Sequence, residues 1–213
     1  KKILLGMGAH VIKVGLSPLI IELMESGFLT GIAMNGACVI HDTEIALAGH
    51  TSEDVAKEIK YGTFGMVKET TEFIINSVRQ NKECGLGEAV GKAILTSDVS
   101  NSNISILAQG YRLRIPITVH IAVGTDILHM HPDFDGALFG DASHRDFLVF
   151  SKLVSELECG VYINLGSSVI LPEVFLKAIS LVRNLGYVVN DITTVNMDMI
   201  QHYRPLTNVV QRP

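Results

Sequence analysis

The chain has 213 residues, a formal net charge of −5, and 18% charged against 47% hydrophobic residues. With no basic tract, this balance argues against nucleic acid or an anionic membrane as the main partner. No apolar stretch reaches the roughly 18–20 residues of a bilayer span. A mean hydropathy of +0.34 calls for a sheet buried on both faces or an apolar subunit interface. One domain over residues 1–213 is the simplest organisation. Cys38, Cys84 and Cys159 are widely spaced and odd in number. They suit a reducing cytoplasm and no zinc site. No signal peptide is evident, and the start at Lys1, almost inside a strand, predicts residues upstream.

Ile3 to Met7 reads as a short buried strand closed by Gly8. Ser17 and Pro18 suit a helix start, with Gly27 as its stop. Ile32 to Met34 is a second strand, followed by "NGACVIHD" and a helix over Ile40 to Ala48. "TSEDVAKEI" restarts a helix, and Lys68 to Gln80 is a longer amphipathic one. A Gly-punctuated helix lies within "ECGLGEAVGKAILTSD", and another covers Ile104 to Arg112. Ile115 to Val123 is a strand whose Pro116 fits only a strand start or an edge. "GTDILHMHPDFDGALFGDASHRD" reads as a long polar loop, then a helix over Asp146 to Leu157. Val161 to Asn164 is a strand ending in "LGSSVILP", and Pro172 opens a helix to Asn184. Tyr187 to Thr193 reads as the last strand, and the tail after it shows no clear period.

Strand and helix thus alternate, which predicts an α/β, doubly wound, mostly parallel sheet. Ligands in such folds bind beyond the carboxyl ends of the strands. The loops there carry small and polar residues: "GMGAHVIK", "NGACVIHD", "GTDILHMH", "LGSSV" and "TTVNMD".

Gly6 and Gly8 permit close backbone approach, and the helix that follows offers free N–H groups. Val11 breaks the G-x-G-x-x-G dinucleotide pattern, and Asn35 stands where an acidic ribose contact would close the second strand. The loop is therefore either a nucleotide cradle or a plain strand–helix turn. Lys13, among apolar neighbours, reads as an anion contact, a tuned amine or a stem reaching solvent. His129 and His131, with Asp126, Asp133 and Asp135, form a metal-like stretch, or a polar loop with its histidines bonded to backbone. "LGSSV" suits a phosphate or ribose, or is a turn. No G-x-S-x-G elbow is present.

In order and spacing, these loops resemble those of deoxyhypusine synthase, an NAD-dependent enzyme that cleaves spermidine and passes the aminobutyl group to a lysine of a translation factor. The resemblance covers most of residues 3 to 200 and implies a Rossmann-like NAD-binding domain. "LGMGAHVIKVG" is similar to the family's first strand and loop, placing Gly8, Ala9 and His10 at NAD. "NGACVIHD" is similar to its Gly-rich turn with acidic residues, so Asn35, Gly36, Ala37, His41 and Asp42 fall at the cofactor. "IPITVHIAVGTDILHMH" places Asp126 where an aspartate holds the polyamine. "LGSSV" puts Gly166, Ser167 and Ser168 at a Gly-Gly-Gly turn on NAD. "GYVVNDITTVNMD" puts Thr193 and Thr194 near the ribose and Asp198 near the polyamine.

The chain departs from the family in two places. No lysine follows Lys177, so the Trp-Gly-Lys motif is missing, and "LPEV" with Pro172 and Glu173 replaces paired histidines. It therefore looks like a bacterial-type paralogue. The implied chemistry is hydride removal by NAD from a carbon bearing an amine. Asp126, Asp198 and Glu173 would hold the amine, and His129 or His131 would move a proton. Lys13 would anchor the pyrophosphate or replace the imine-forming lysine. The alternatives are a nucleotide-binding protein without this catalysis, and a metal-dependent hydrolase using the H-x-H loop. Family analogy implies a homo-oligomer, a dimer or tetramer, in the cytoplasm.

Overall fold

A computed structural model describes residues 1–213. Its centre is one sheet of five strands, all parallel, in the order β3-β2-β1-β4-β5. The strands are β1 (Ile3–Met7), β2 (Gly31–Asn35), β3 (Ile117–His120), β4 (Val161–Leu165) and β5 (Thr193–Met197). The helices are α1 (His10–Lys13), α2 (Ser17–Glu25), α3 (Gly36–Ala48), α4 (Val55–Glu58), α5 (Lys68–Gln80), α6 (Leu86–Thr96), α7 (Ile106–Leu113), α8 (Gly136–Ser155), α9 (Ile170–Asn184) and a terminal turn α10 (Tyr203–Pro205). A π-helical stretch, Leu206–Gln211, continues α10. No helix is long and apolar enough to cross a membrane.

Side chains of β1 and β2 alternate between two buried layers, as expected of parallel strands covered on both faces. Leu5, Met7, Ile32 and Met34 pack with α1 to α3 and α5 to α7. Leu4, Ala33 and Tyr162 pack with α8 and α9. Each fully buried Leu, Ile or Phe in these layers contributes about 1.5–3 kcal/mol by leaving water.

Local chemistry sets the helix ends. Asn35, extended at the end of β2, accepts the Cys38 N–H at 3.1 Å and starts α3 at once. Gly49, at φ +75°, stops it. Asp135 accepts the Ala137 and Leu138 N–H groups and starts α8. Two side chains of α8 stand in for a neighbouring strand along the edge strand β3. Asp146 accepts the Val119 N–H at 2.8 Å, and Ser143 Oγ accepts from Ile121 N–H and donates to the Val119 carbonyl. The exposed polar edge is thereby occupied.

The structure differs from the sequence reading in several elements. β3 is shorter than expected, with Pro116 just before it on an edge, where its missing N–H costs no ladder bond. α8 begins ten residues early, inside the stretch that reads as loop. β5 starts at Thr193, where the strand was expected to end. The apolar run before it is a loop, with Tyr187 and Val188 exposed and Val189 buried.

Candidate functional site

The strand order reverses between β1 and β4, so the loops after them flank the switch point. These loops are locked together. Gly8 N–H donates to the Leu165 carbonyl at 2.9 Å, and Gly166 N–H to the Met197 carbonyl at 2.9 Å. A Cβ on Gly8 would lie 2.2 Å from the Gly166 carbonyl oxygen, so only glycine allows this approach. Gly166 sits at φ +64° with open space where its Cβ would point.

Beneath this turn, Asn164 and Asn196 face each other across β4 and β5. Asn164 Nδ2 donates to the Ser167 carbonyl at 2.8 Å and to Asn196 Oδ1 at 2.7 Å. Asn164 Oδ1 is buried with no partner in the protein. Ser167 Oγ accepts the Leu171 N–H at 3.2 Å inside the first turn of α9. The sequence reading did not find this asparagine pair. Its signal is one Asn at matching positions in "VYINL" and "TTVNM".

A second cluster forms where the loop after β3 folds back over the start of α3. Asp126 and His129 make a reciprocal capping box, and His129 Nδ1 accepts the Gly124 and Asp126 N–H groups at 3.2 Å. The neutral ring therefore carries its proton on Nε2, which is buried without a partner. This box holds Asp126 Oδ2 against Gly36, 2.1 Å from where a Cβ would stand, also buried and unpartnered. Burial pushes the Asp126 carboxyl above its usual range, with His129, Thr125 and His41 pulling the other way.

Asp126 lines a cavity of about 170 Å³ together with Lys13, Ala37, His41, Glu44 and Phe64. Behind its wall, His41 Nδ1 lies 2.6 Å from Thr51 Oγ1 and 3.2 Å from Glu44 Oε2, and Thr51 also bonds Glu44. Burial works against ionising Glu44, but these partners bring its carboxyl below the usual range. Lys13 is exposed at the end of α1. Glu44, Thr51 and Phe64 were not anticipated. Spacing offers one clue, since His41 and Glu44 are three apart on one helix.

The other candidates lie apart from this cavity. Asp42 is fully buried and turned to α7. It accepts Ser105 Oγ–H at 2.6 Å, Ile106 N–H at 2.8 Å and Leu107 N–H at 3.1 Å. It therefore faces the core, away from any ligand surface. Thr193 and Thr194 open β5 and so lie at its amino end, opposite the ligand side, because the strand starts later than expected. Glu173 is bonded to Lys177 and Asn208 and paired with Arg204. Ser168 is half-buried in the β4 turn, and Asp198 and His10 are exposed. His131 Nδ1 accepts the Asp133 N–H at 3.2 Å. No three His, Cys, Asp or Glu side chains converge as metal ligands. Burial pushes the Cys38 thiol up to about 12, which suits a core residue rather than a nucleophile.

An open parallel sheet in this order, covered by helices on both faces, defines a Rossmann-like α/β domain. The sequence matches no protein-family model and no curated protein. Among solved structures, unliganded AgrE has a TM-score of 0.50 at 16% identity, over 83% of this chain and 23% of AgrE. A LOR/SDH-type protein from Methanococcus maripaludis S2 gives 0.49 at 18% identity, over 85% of this chain and 46% of that one. A deoxyhypusine synthase candidate from Entamoeba histolytica gives 0.47 at 13% identity, over 78% of this chain and 57% of that one. This chain thus spans less than two thirds of each. At such identities the likeness is one of fold.

Proposed function

We propose that this chain is the NAD-binding domain of an enzyme acting on a polyamine or related amine, with aminoalkyl transfer of the deoxyhypusine synthase type as the finer reading. The observation that carries it is Asp126. Its loop brings a carboxylate to the wall of a cavity at the carboxyl ends of the strands, with one oxygen, Oδ2, buried and unpartnered against Gly36. The same cavity holds Glu44 and Glu53 against the one lysine, Lys13, a balance that favours a cation.

The residues at the β4 turn fit a cofactor with a hydrogen-bond donor. Asn164 Oδ1 is orphaned there, and Gly166 opens on free space. Gly166, Ser167 and Ser168 would hold NAD, with Gly8, Ala9 and His10 beside them. NAD, when bound, accepts the hydride lost by the carbon bearing the amine. Asp126 would hold the ammonium group. His41, oriented by Glu44 and Thr51, would carry a proton between the amine and solvent. His129, whose Nδ1 is committed to backbone, would position Asp126 rather than shuttle protons. Asp198, at the exposed end of β5, would meet the far end of a longer polyamine. In this reading Glu173 orders the tail through Arg204 and Asn208.

Calorimetry with NAD, then NADH formation with spermidine, putrescine or agmatine, tests this reading. No NAD binding at millimolar concentration would remove it. One observation favours the second reading, nucleotide binding without turnover: no lysine is buried. An imine-forming lysine needs its ammonium destabilised, and burial is the usual means. Lys13 would then anchor phosphate, and NAD would bind without NADH appearing. We also propose a homo-oligomer, a dimer or tetramer. Exposed Met197, Met199, Ile200 and Tyr203 near the end of β5 supply apolar surface for it, and light scattering measures the mass.

A further inference from the structure

A larger cavity, about 310 Å³, lies outside the cluster just described, at the start of the edge strand β3, between α6, α7 and α8. Its volume falls at the lower end of the range for small-molecule sites. Its apolar walls include Leu107, Ile117 and Val149. Glycines bring backbone to its lining. A Cβ on Gly87 would lie 1.9 Å from the Ile117 carbonyl oxygen, and one on Gly110 would lie 2.2 Å from Ile117 Cδ1.

Asp146 is the one buried ionisable group on the wall, only 2% exposed. Its Oδ2 accepts the Gly87 N–H at 3.0 Å and the Val119 N–H at 2.8 Å. Its Oδ1 lies against Gly85, 1.9 Å from where a Cβ would stand. The other charges on the lining, Glu88 and Arg114, are exposed and opposite in sign. They leave the Asp146 carboxylate as the dominant electrostatic feature inside.

We infer that this cavity is a second binding site, for a small primary amine with an apolar body, whose ammonium group meets the Asp146 carboxylate while its body lies against Leu107, Ile117 and Val149. An apolar cavity with a few fixed polar groups selects by one directional contact. A carboxylate in a shielded site prefers a charged donor to a neutral one. This site does not depend on NAD or on the Asp126 cavity.

Benzylamine is the probe, with benzyl alcohol as its neutral counterpart, titrated into the full chain at about pH 8, where Asp146 is ionised and benzylamine is still charged, and followed by backbone amide NMR. Benzylamine is expected to shift the Gly85, Gly87 and Tyr111 amides saturably, with benzyl alcohol at least about tenfold weaker. Val149→Phe fills the cavity from an exposed position on α8 and is expected to abolish these shifts while leaving the remaining spectrum intact. Asp146→Asn, which also loses an acceptor for α6 and β3, is the second variant, read only if its spectrum stays folded. Equal binding of amine and alcohol, shifts confined to Lys13, Ala37 and His41, or unchanged binding by Val149→Phe would each overturn the inference.

Discussion

Asp126 Oδ2 rests on Gly36 so closely that a Cβ there would stand 2.1 Å from it. The group in the way is the end of a side chain rather than backbone. Gly36→Ala is therefore expected to displace the carboxylate and leave the fold intact. Alanine also suits the helical backbone at the start of α3. The expected outcome is a melting temperature at or slightly above that of the parent. Amine affinity at the strand ends should fall about tenfold through loss of one charge-assisted contact. Thermal unfolding and amine calorimetry on the same variant separate the two effects. A large drop in melting temperature would show that the Asp126–Gly36 contact holds the fold itself.

Gly8 presents the opposite case. The atom facing its absent Cβ is the Gly166 carbonyl oxygen at 2.2 Å, and this backbone is tied to β5 through the Gly166 N–H. No side chain can move aside. Gly8→Ala is expected to cost about 1–3 kcal/mol, the usual penalty of overpacking a closed contact. Urea denaturation measures it, with Gly15→Ala as a control for φ. Gly15 sits at φ +82° with nothing within 4 Å, so its cost comes from backbone strain alone.

The contrast also explains what the sequence makes legible. β1 coincides with its apolar run because both faces of that strand are buried, and α5 follows its amphipathic period, Lys68–Gln80. β5 is displaced because hydrophobic content alone does not make a strand. Val189 is buried, yet its carbonyl accepts from the Arg183 guanidinium, so the run forms a loop. The ten residues opening α8 read as polar loop because their apolar signal is short, Leu138, Phe139 and Ala142, set among Gly140, Asp141, Ser143 and His144 behind the Asp135 cap. The "NGACVIHD" motif marks the right helix, but seven residues beyond Asn35 the helix has turned Asp42 to α7 while His41 faces the cavity. The approach of Asp126 to Gly36 joins the loop after β3 to the start of α3, far apart in the chain, which no local pattern records.

Tyr162 gives a prediction of opposite sign. Its ring stacks on Phe175 with centroids 3.8 Å apart, and its hydroxyl is buried with no partner in the protein. Burial drives its phenol well above the ordinary range. The ring does the packing, and the hydroxyl brings only a desolvation cost. Tyr162→Phe is expected to stabilise the protein by about 1 kcal/mol. The same hydroxyl lies 2.3 Å from where a Gly6 Cβ would stand, so Tyr162→Phe should also soften the penalty of Gly6→Ala. A double-mutant cycle by urea denaturation reads both. A loss of stability on removing the hydroxyl would reveal a hydrogen bond worth keeping.

Two buried carboxylates, opposed by one buried histidine, dominate the pH dependence of folding. Burial lowers His120 from 6.5 to about 4, so its contribution to stability rises with pH over that window and offsets part of the carboxylates' fall. Burial raises Asp42 to about 6 and Asp146 to about 7, against the backbone N–H groups that each accepts, with the Ser105 hydroxyl also opposing the shift at Asp42. Both values lie above the usual 3.8, so over this window the folded chain holds these protons more tightly than the unfolded chain does. The carboxylates' contribution to stability then falls as pH rises, by about 1.4 kcal/mol for each tenfold difference in the ionisation constant. Below the usual carboxylate range these two groups are protonated in both states, and well above 7 they are ionised in both, so their part of the slope vanishes at either end. Two raised carboxylates outweigh the one lowered histidine, so urea midpoints are expected to be higher near pH 5 than near pH 7. Asp42→Asn removes one of the two titrations. It should be less stable throughout, because its amide presents donors to the α7 N–H groups, and it should show a shallower slope between those pH values. An unchanged slope would assign the pH dependence to other groups.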